Sequence, residues 1–114
     1  MARTRPLREI KRFEVYWTML DPTVGHEIQK TRPCVVISPD SLNSFLHTVI
    51  ISPFTSTTRK YLFRADSNLK NIKGQIALDQ MRTVDKSRLG DLIGVIKGKA
   101  ATEILDKLSE MFAE

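Results

Sequence analysis

The chain has a single cysteine, no apolar run approaching membrane-spanning length, and no repeat or low-complexity segment. Cys34 therefore has no partner for an internal disulfide, and no second cysteine or histidine stands near it at the spacing of a zinc site. A bilayer-crossing helix needs ~20 consecutive apolar residues; apolar runs here stop after a few. The amino terminus, Met1 to Arg12, is basic but has neither the apolar stretch nor the small-residue cleavage site of a secretion signal. These absences set the expectation of a cytoplasmic protein with no membrane contact, no resident metal and no cofactor.

What is present fits one globular domain. The 114 residues are 41% hydrophobic and 27% charged, and a chain of this size buries roughly two thirds of its unfolded surface, enough for a core without covalent staples. The net charge of +5 is unevenly spread. Residues 99–114 hold Lys99 and Lys107 against Glu103, Asp106, Glu110 and Glu114, a net of −2, so residues 1–98 carry +7. An excess of that kind suits a polyanion or an acidic protein segment as partner.

The hydrophobic period changes once along the chain. Residues 1–11 read as a flexible basic arm, with Arg3, Arg5, Arg8 and Lys11 set against Glu9 alone, and 12–114 as one domain. Short β-type runs then follow at Phe13 to Leu20, Cys34 to Ile37, Thr48 to Pro53, Tyr61 to Ala65, Gln75 to Gln80 and Asp91 to Ile96, with Gly, Pro, Ser and Asp between them. Ser38-Pro39-Asp40-Ser41 offers a turn or a short helical start. From about 99 to 113 the period becomes helical, with Ala101, Ile104, Leu105, Leu108, Met111 and Phe112 on one face. Six short strands without interleaved long helices predict a mainly β protein, an antiparallel sheet curled into a small barrel, with the C-terminal α-helix as its lid. Cys34 reads as a small buried hydrophobe and Trp17 as buried.

Chemistry concentrates between the first two strands. Asp21 to Pro33 brings His26, two carboxylates (Asp21, Glu27) and two cations (Lys30, Arg32) into one connection, the kind of loop on a rigid scaffold where functional groups gather.

The segments Val15-Tyr16-Trp17, Leu20 to Glu27, Lys30-Thr31-Arg32-Pro33, Ser38-Pro39-Asp40, Pro53-Phe54-Thr55-Ser56 and Leu78 to Asp85 together resemble the MazF/PemK-type toxins of bacterial type II toxin–antitoxin pairs. The resemblance runs from Arg12 to the final helix and rests on the order and spacing of these pieces. It implies an SH3-like small barrel, a homodimer, a sequence-specific and metal-independent endoribonuclease acting on single-stranded RNA, and an acidic, partly disordered antitoxin as the silencing partner. Two other readings stand beside it: a gyrase-inhibiting toxin of the same fold, disfavoured because the only Trp is at 17 and not near the carboxyl end, and a non-catalytic nucleic-acid-binding barrel.

Cutting RNA without a metal needs a group to take the 2′-hydroxyl proton, one to protonate the leaving 5′-oxygen, and donors for the charge on the phosphorane. Arg32 supplies a fixed fork of donors that matches phosphate oxygens and does not give up its proton in proteins, so charge stabilisation is its natural task. A surface ion pair between Arg32 and Glu27 is the alternative. By the resemblance, Thr55 corresponds to a phosphate-contacting threonine, Glu27 to a glutamate important for activity, His26 to a position that is histidine in some relatives and serine in others, and Asp79 to a base in the PemK-like branch. That branch has an arginine two positions before the aspartate, where this chain has Ala77. Alternation along a strand puts Ala77 and Asp79 on one face. Phe13 stands where relatives have glycine, so positive φ is not expected there. Further candidates for RNA contact are Ser56, Arg59, Lys60, Arg64, Gln80, Arg82 and Tyr61, with Phe54 and Phe45 as other possible stacking platforms.

Overall fold

The computed structural model describes residues 9–56, 63–67, 69–72 and 74–113. Most of the expected amino-terminal arm, and Arg59, Lys60 and Tyr61, lie outside those residues. Seven strands are present: β1 (Glu14–Met19), β2 (Thr31–Val36), β3 (Thr48–Thr55), β4 (Arg64–Asp66), β5 (Gln75–Ala77), β6 (Arg82–Asp85) and β7 (Leu89–Val95). A short helix, α1 (Asp40–Asn43), follows β2, and α2 (Gly98–Ala113) ends the described chain.

All strand pairs are antiparallel, in the order β4-β5-β3-β2-β1-β7, with β6 pairing β3 off this path. β3 serves several neighbours in turn, taking β6 along Thr48–Ile51 and β5 at Phe54 and Thr55. The mainly β expectation with a C-terminal helix is met. The sheet curls but does not close into a barrel, because β4 and β7 are not paired to each other among the described residues.

Curling buries both faces of the central strands. On one side Val15, Val35, Phe54, Ile76 and Leu78 meet Ala101 and Ile104 of α2; on the other Tyr16, Cys34, Val36, Ile51, Val84 and Leu89 pack together with Leu20. A strand covered on both faces reads as an unbroken apolar run rather than an alternation, which is why Cys34 to Ile37 is apolar throughout. Cys34 is fully buried, as expected.

Four local expectations are corrected. The run from Gln75 is a strand only to Ala77; Leu78–Gln80 is a 3-10 turn. β6 stood out in no period, having four residues of which only Val84 is buried. Trp17 is 47% exposed, because register shifts in the β1–β7 ladder on either side of Tyr16 bury Tyr16 and Thr18 and turn Trp17 outward. Phe112 is exposed while Met111 packs on the core; about 100° further round the helix, Phe112 falls beyond the edge of the buried stripe.

Phe13 adopts φ 75 although it is not glycine. Its N–H donates to Val36 O (2.7 Å), its carbonyl accepts from Ile96 N–H (2.9 Å), and its ring packs on the core below the Arg12 guanidinium. Contacts on both backbone groups and the ring hold a conformation that the backbone alone disfavours.

Candidate active site

A hollow of about 190 Å³ opens where the β1–β2 loop folds back beside the turn between β5 and β6. Leu20, Glu27 and Ile28 form the loop wall. Asp79, Gln80, Met81 and Arg82 form the opposite wall, and Pro53 of β3 completes the lining. Four residues singled out from sequence, Glu27, Asp79, Gln80 and Arg82, are thus brought together from positions more than fifty residues apart in the chain.

The loop is pinned at its two ends. Arg88 Nη1 donates to the carbonyls of Met19 (3.1 Å) and Asp21 (2.6 Å), and Arg82 Nη1 to that of Leu20 (3.0 Å). At the far end Arg32 Nε donates to Gln29 O (2.9 Å), and Leu20 N–H donates to Lys30 O (3.1 Å). Between these tethers Glu27 closes a tight turn: its Oε1 accepts from Val24 N–H (2.5 Å) and its own N–H donates to Val24 O (3.2 Å). Gly25 and Lys30 have φ 59 and 73, conformations that favour glycine. His26 is exposed on this turn and is not part of the hollow's lining.

Arg32 is the second residue of β2, opposite Thr18, and is half-buried. The alternative ion pair with Glu27 is not formed: Arg32 has no carboxylate within 4.0 Å among the described residues, and its Nε is engaged on Gln29 O instead. Two positions along the same strand face, Cys34 has its thiol pushed up to about 12 by burial; a hydrogen bond with Thr18 and the charges of Arg32 and Arg82 pull the other way without offsetting it.

Asp79 lies in the 3-10 turn, off the face that carries buried Ala77, so the expected alternation does not apply. Its partner is Arg64, Nε to Oδ1 at 2.6 Å and Nη2 to Oδ2 at 3.1 Å. Arg64 is directly opposite Ala77 in the β4–β5 ladder. The arginine missing two positions before the aspartate is thereby replaced, in space, by one from the neighbouring strand.

Thr55 ends β3 with only 8% exposure and Ser56 follows it, exposed. Gly74 fits close behind: a Cβ there would lie 2.0 Å from Thr55 O, and its φ is 108. Phe54 belongs to the core, whereas Phe45 is 80% exposed and does not line the hollow. Sequence reading missed Arg88 and the tethering role of Arg82, since nothing local marks an arginine that reaches carbonyls 62 to 69 residues away. Among the described residues no group of three or more His, Cys, Asp or Glu is placed to hold a metal ion, and no helix is long and apolar enough to cross a membrane.

Comparison with known proteins agrees with this arrangement in extent. The profile of the family described as "PemK-like, MazF-like toxin of type II toxin-antitoxin system" matches residues 11–112. The chain is 34% identical to endoribonuclease EndoA of Bacillus subtilis over 114 aligned residues, covering 89% of each. It is 31% identical to endoribonuclease PemK of Escherichia coli over 107 residues, covering 89% of this chain and 80% of that protein. In fold it is similar to the crystal structure of MazF from Deinococcus radiodurans, with a TM-score of 0.78 at 24% identity over 92% of this chain and 97% of that one. An endoribonuclease in complex with its cognate antitoxin, from a mycobacterial species, gives a TM-score of 0.78 at 20% identity over 91% and 95%.

Proposed function

The chain belongs to the family of PemK-like, MazF-like toxins of type II toxin–antitoxin systems, and from that premise we propose that it is an endoribonuclease toxin that cuts single-stranded RNA by attack of the 2′-hydroxyl. The new bond joins the 2′-oxygen to phosphorus, the bond to the 5′-oxygen breaks, and the ends are a 2′,3′-cyclic phosphate and a 5′-hydroxyl. Arg32 is the observation that carries this reading: Nε is spent on Gln29 O, which fixes the side chain while the terminal nitrogens remain as a fork for two phosphoryl oxygens. A fixed guanidinium is suited to the charge of the phosphorane without a metal.

Proton transfer falls to His26, which takes the 2′-hydroxyl proton and returns it to the leaving 5′-oxygen. A neutral imidazole has one accepting and one donating nitrogen, and His26 is exposed on the turn, whereas Glu27 holds Val24 N–H and Asp79 is engaged on both oxygens by Arg64. Glu27 is assigned to shaping the loop. Thr55 and Ser56 close the phosphate end of the site, and Arg59, Lys60 and Tyr61 are assigned to the path of the RNA. A cytoplasmic homodimer, silenced by an acidic antitoxin drawn to the positive excess of residues 1–98, completes the reading.

The test is incubation of the purified protein with a long RNA in EDTA, followed by mapping of the new ends. Discrete cuts with 5′-hydroxyl ends are expected. Absence of new ends overturns the function, and cutting that chelator abolishes overturns the metal-free mechanism.

A further inference from the structure

The hollow has a composition that a phosphate seat would not have. Two of its polar residues, Glu27 and Asp79, are carboxylates on facing walls; with Arg82 in the lining and Arg64 on Asp79 the hollow is close to neutral and lacks the positive excess that holds a phosphodiester. The lining is more polar than apolar, with Leu20, Ile28, Pro53 and Met81 contributing the smaller, apolar share. A cavity of roughly 150 Å³ accepts a benzene ring, so 190 Å³ holds one planar ring system and little else. A nucleobase is itself a flat ring with a polar edge, so its faces suit the apolar contacts and its edge the fixed polar groups.

We propose that this hollow reads one unpaired nucleobase of the RNA, and that Asp79 selects a base bearing an exocyclic amino group over uracil. The inference rests on the reading of the protein as an RNA-cutting enzyme. Arg64 fixes the Asp79 carboxylate side-on through two hydrogen bonds, and each carboxylate oxygen keeps a further acceptor site for an N–H. The Asp79 side chain is 39% exposed and that of Arg64 only 11%, so the carboxylate faces incoming groups while its anchor stays behind it. Guanine, adenine and cytosine each bring an amine to such an acceptor. Uracil has no amine: its one edge donor, the ring N3–H, is flanked by two carbonyl oxygens, and oxygen against carboxylate is repulsive. Gln80 and Arg82, on the same wall, can donate to ring acceptors and so set which of the three is preferred. Single-stranded RNA is commonly read in this way, through splayed bases hydrogen-bonded along their edges.

The experiment sequences the ends cut from an RNA library with randomised positions, for wild type and for Asp79→Asn, which keeps the shape of the side chain and replaces an acceptor by a donor. In parallel, 2′-O-methyl oligonucleotides of the preferred sequence, which cannot be cut, are titrated with each of the four bases at every position. One position is expected to favour an amino-bearing base over uracil by about tenfold or more, and Asp79→Asn is expected to lose most of that preference in both assays while other positions keep theirs. A preference unchanged in Asp79→Asn, or a loss of cutting with unchanged binding preference in a variant of normal thermal stability, overturns the proposal. Wild type that cuts no RNA overturns the proposed function instead, and in that case equal binding of all four bases at every position overturns the pocket as well.

Discussion

The two walls of the hollow are held by different means. The loop wall is tied only near its ends, by Arg82, Arg88 and Arg32 on backbone carbonyls, and His26 and Glu27 lie on an exposed turn between the ties. The opposite wall is a 3-10 turn flanked by two strands that both pair with β3, and its carboxylate is fixed by an arginine from β4. Both catalytic and discriminating groups work best when held in place; the sheet side is held before RNA arrives, whereas the exposed turn leaves His26 to be ordered by the bound RNA. The contrast matches the division proposed above: chemistry on the loop side, reading on the sheet side.

The sharpest way to break this contrast is to remove Arg32. Arg32→Ala is expected to lower kcat about 10²–10³-fold, the usual cost of one oxyanion donor, with a thermal midpoint close to that of wild type. A large fall in the midpoint would instead make Arg32 part of the framework. The mirror test is Gly74→Ala, next to the sheet-side wall. A Cβ at 2.0 Å from Thr55 O with φ 108 is expected to cost about 3 kcal/mol and about 10–20 °C in midpoint, read by thermal circular dichroism.

Cys34 probes the core behind the hollow, beside Leu20 and opposite Pro53. Its thiol titrates at about 12 against an ordinary 9.0, chiefly through burial. The folded state therefore keeps a proton that the unfolded chain releases, so stability is whole below pH 9.0 and falls as pH rises toward 12, by about 1.4 kcal/mol per unit. Denaturant melts across that window should show a steeper decline than the same melts of Cys34→Ala.

Smaller effects sharpen the comparison. Arg64→Ala removes a partly exposed ion pair and is expected to cost about 1 kcal/mol, a loss that added salt reduces; a salt-independent loss would mean that packing, not charge, holds the sheet-side wall. Lys30→Gly, at φ 73, is expected to raise stability by about 0.5–1 kcal/mol in chemical denaturation, because glycine takes that conformation without strain.

Much of this was legible in the sequence, and the remainder shares one cause. The apolar run at Cys34, the helical period from Ala101 to Met111 and the charged loop all depend on residues near one another in the chain. The turn at Leu78–Gln80 follows a strand of only three residues, too short to show a period, so alternation carried Asp79 to the wrong face. Arg64 finding Asp79 fifteen residues away, and Arg88 reaching Met19 and Asp21, follow from how the sheet curls. Phe13 takes a glycine-like conformation because β2 and the segment after β7 both bond to its backbone, which a substitution pattern cannot reveal.

The ties on the loop use main-chain oxygens throughout: those of Met19, Leu20 and Asp21 at one end and of Gln29 and Lys30 at the other. Every residue type offers that oxygen. The stretch 22–28 is therefore an exchangeable cassette, whose identity can change while its mooring stays constant. A toxin anchored in this way can retune the reacting side of its site by changing a few loop side chains, with little effect on how the rest of the protein folds.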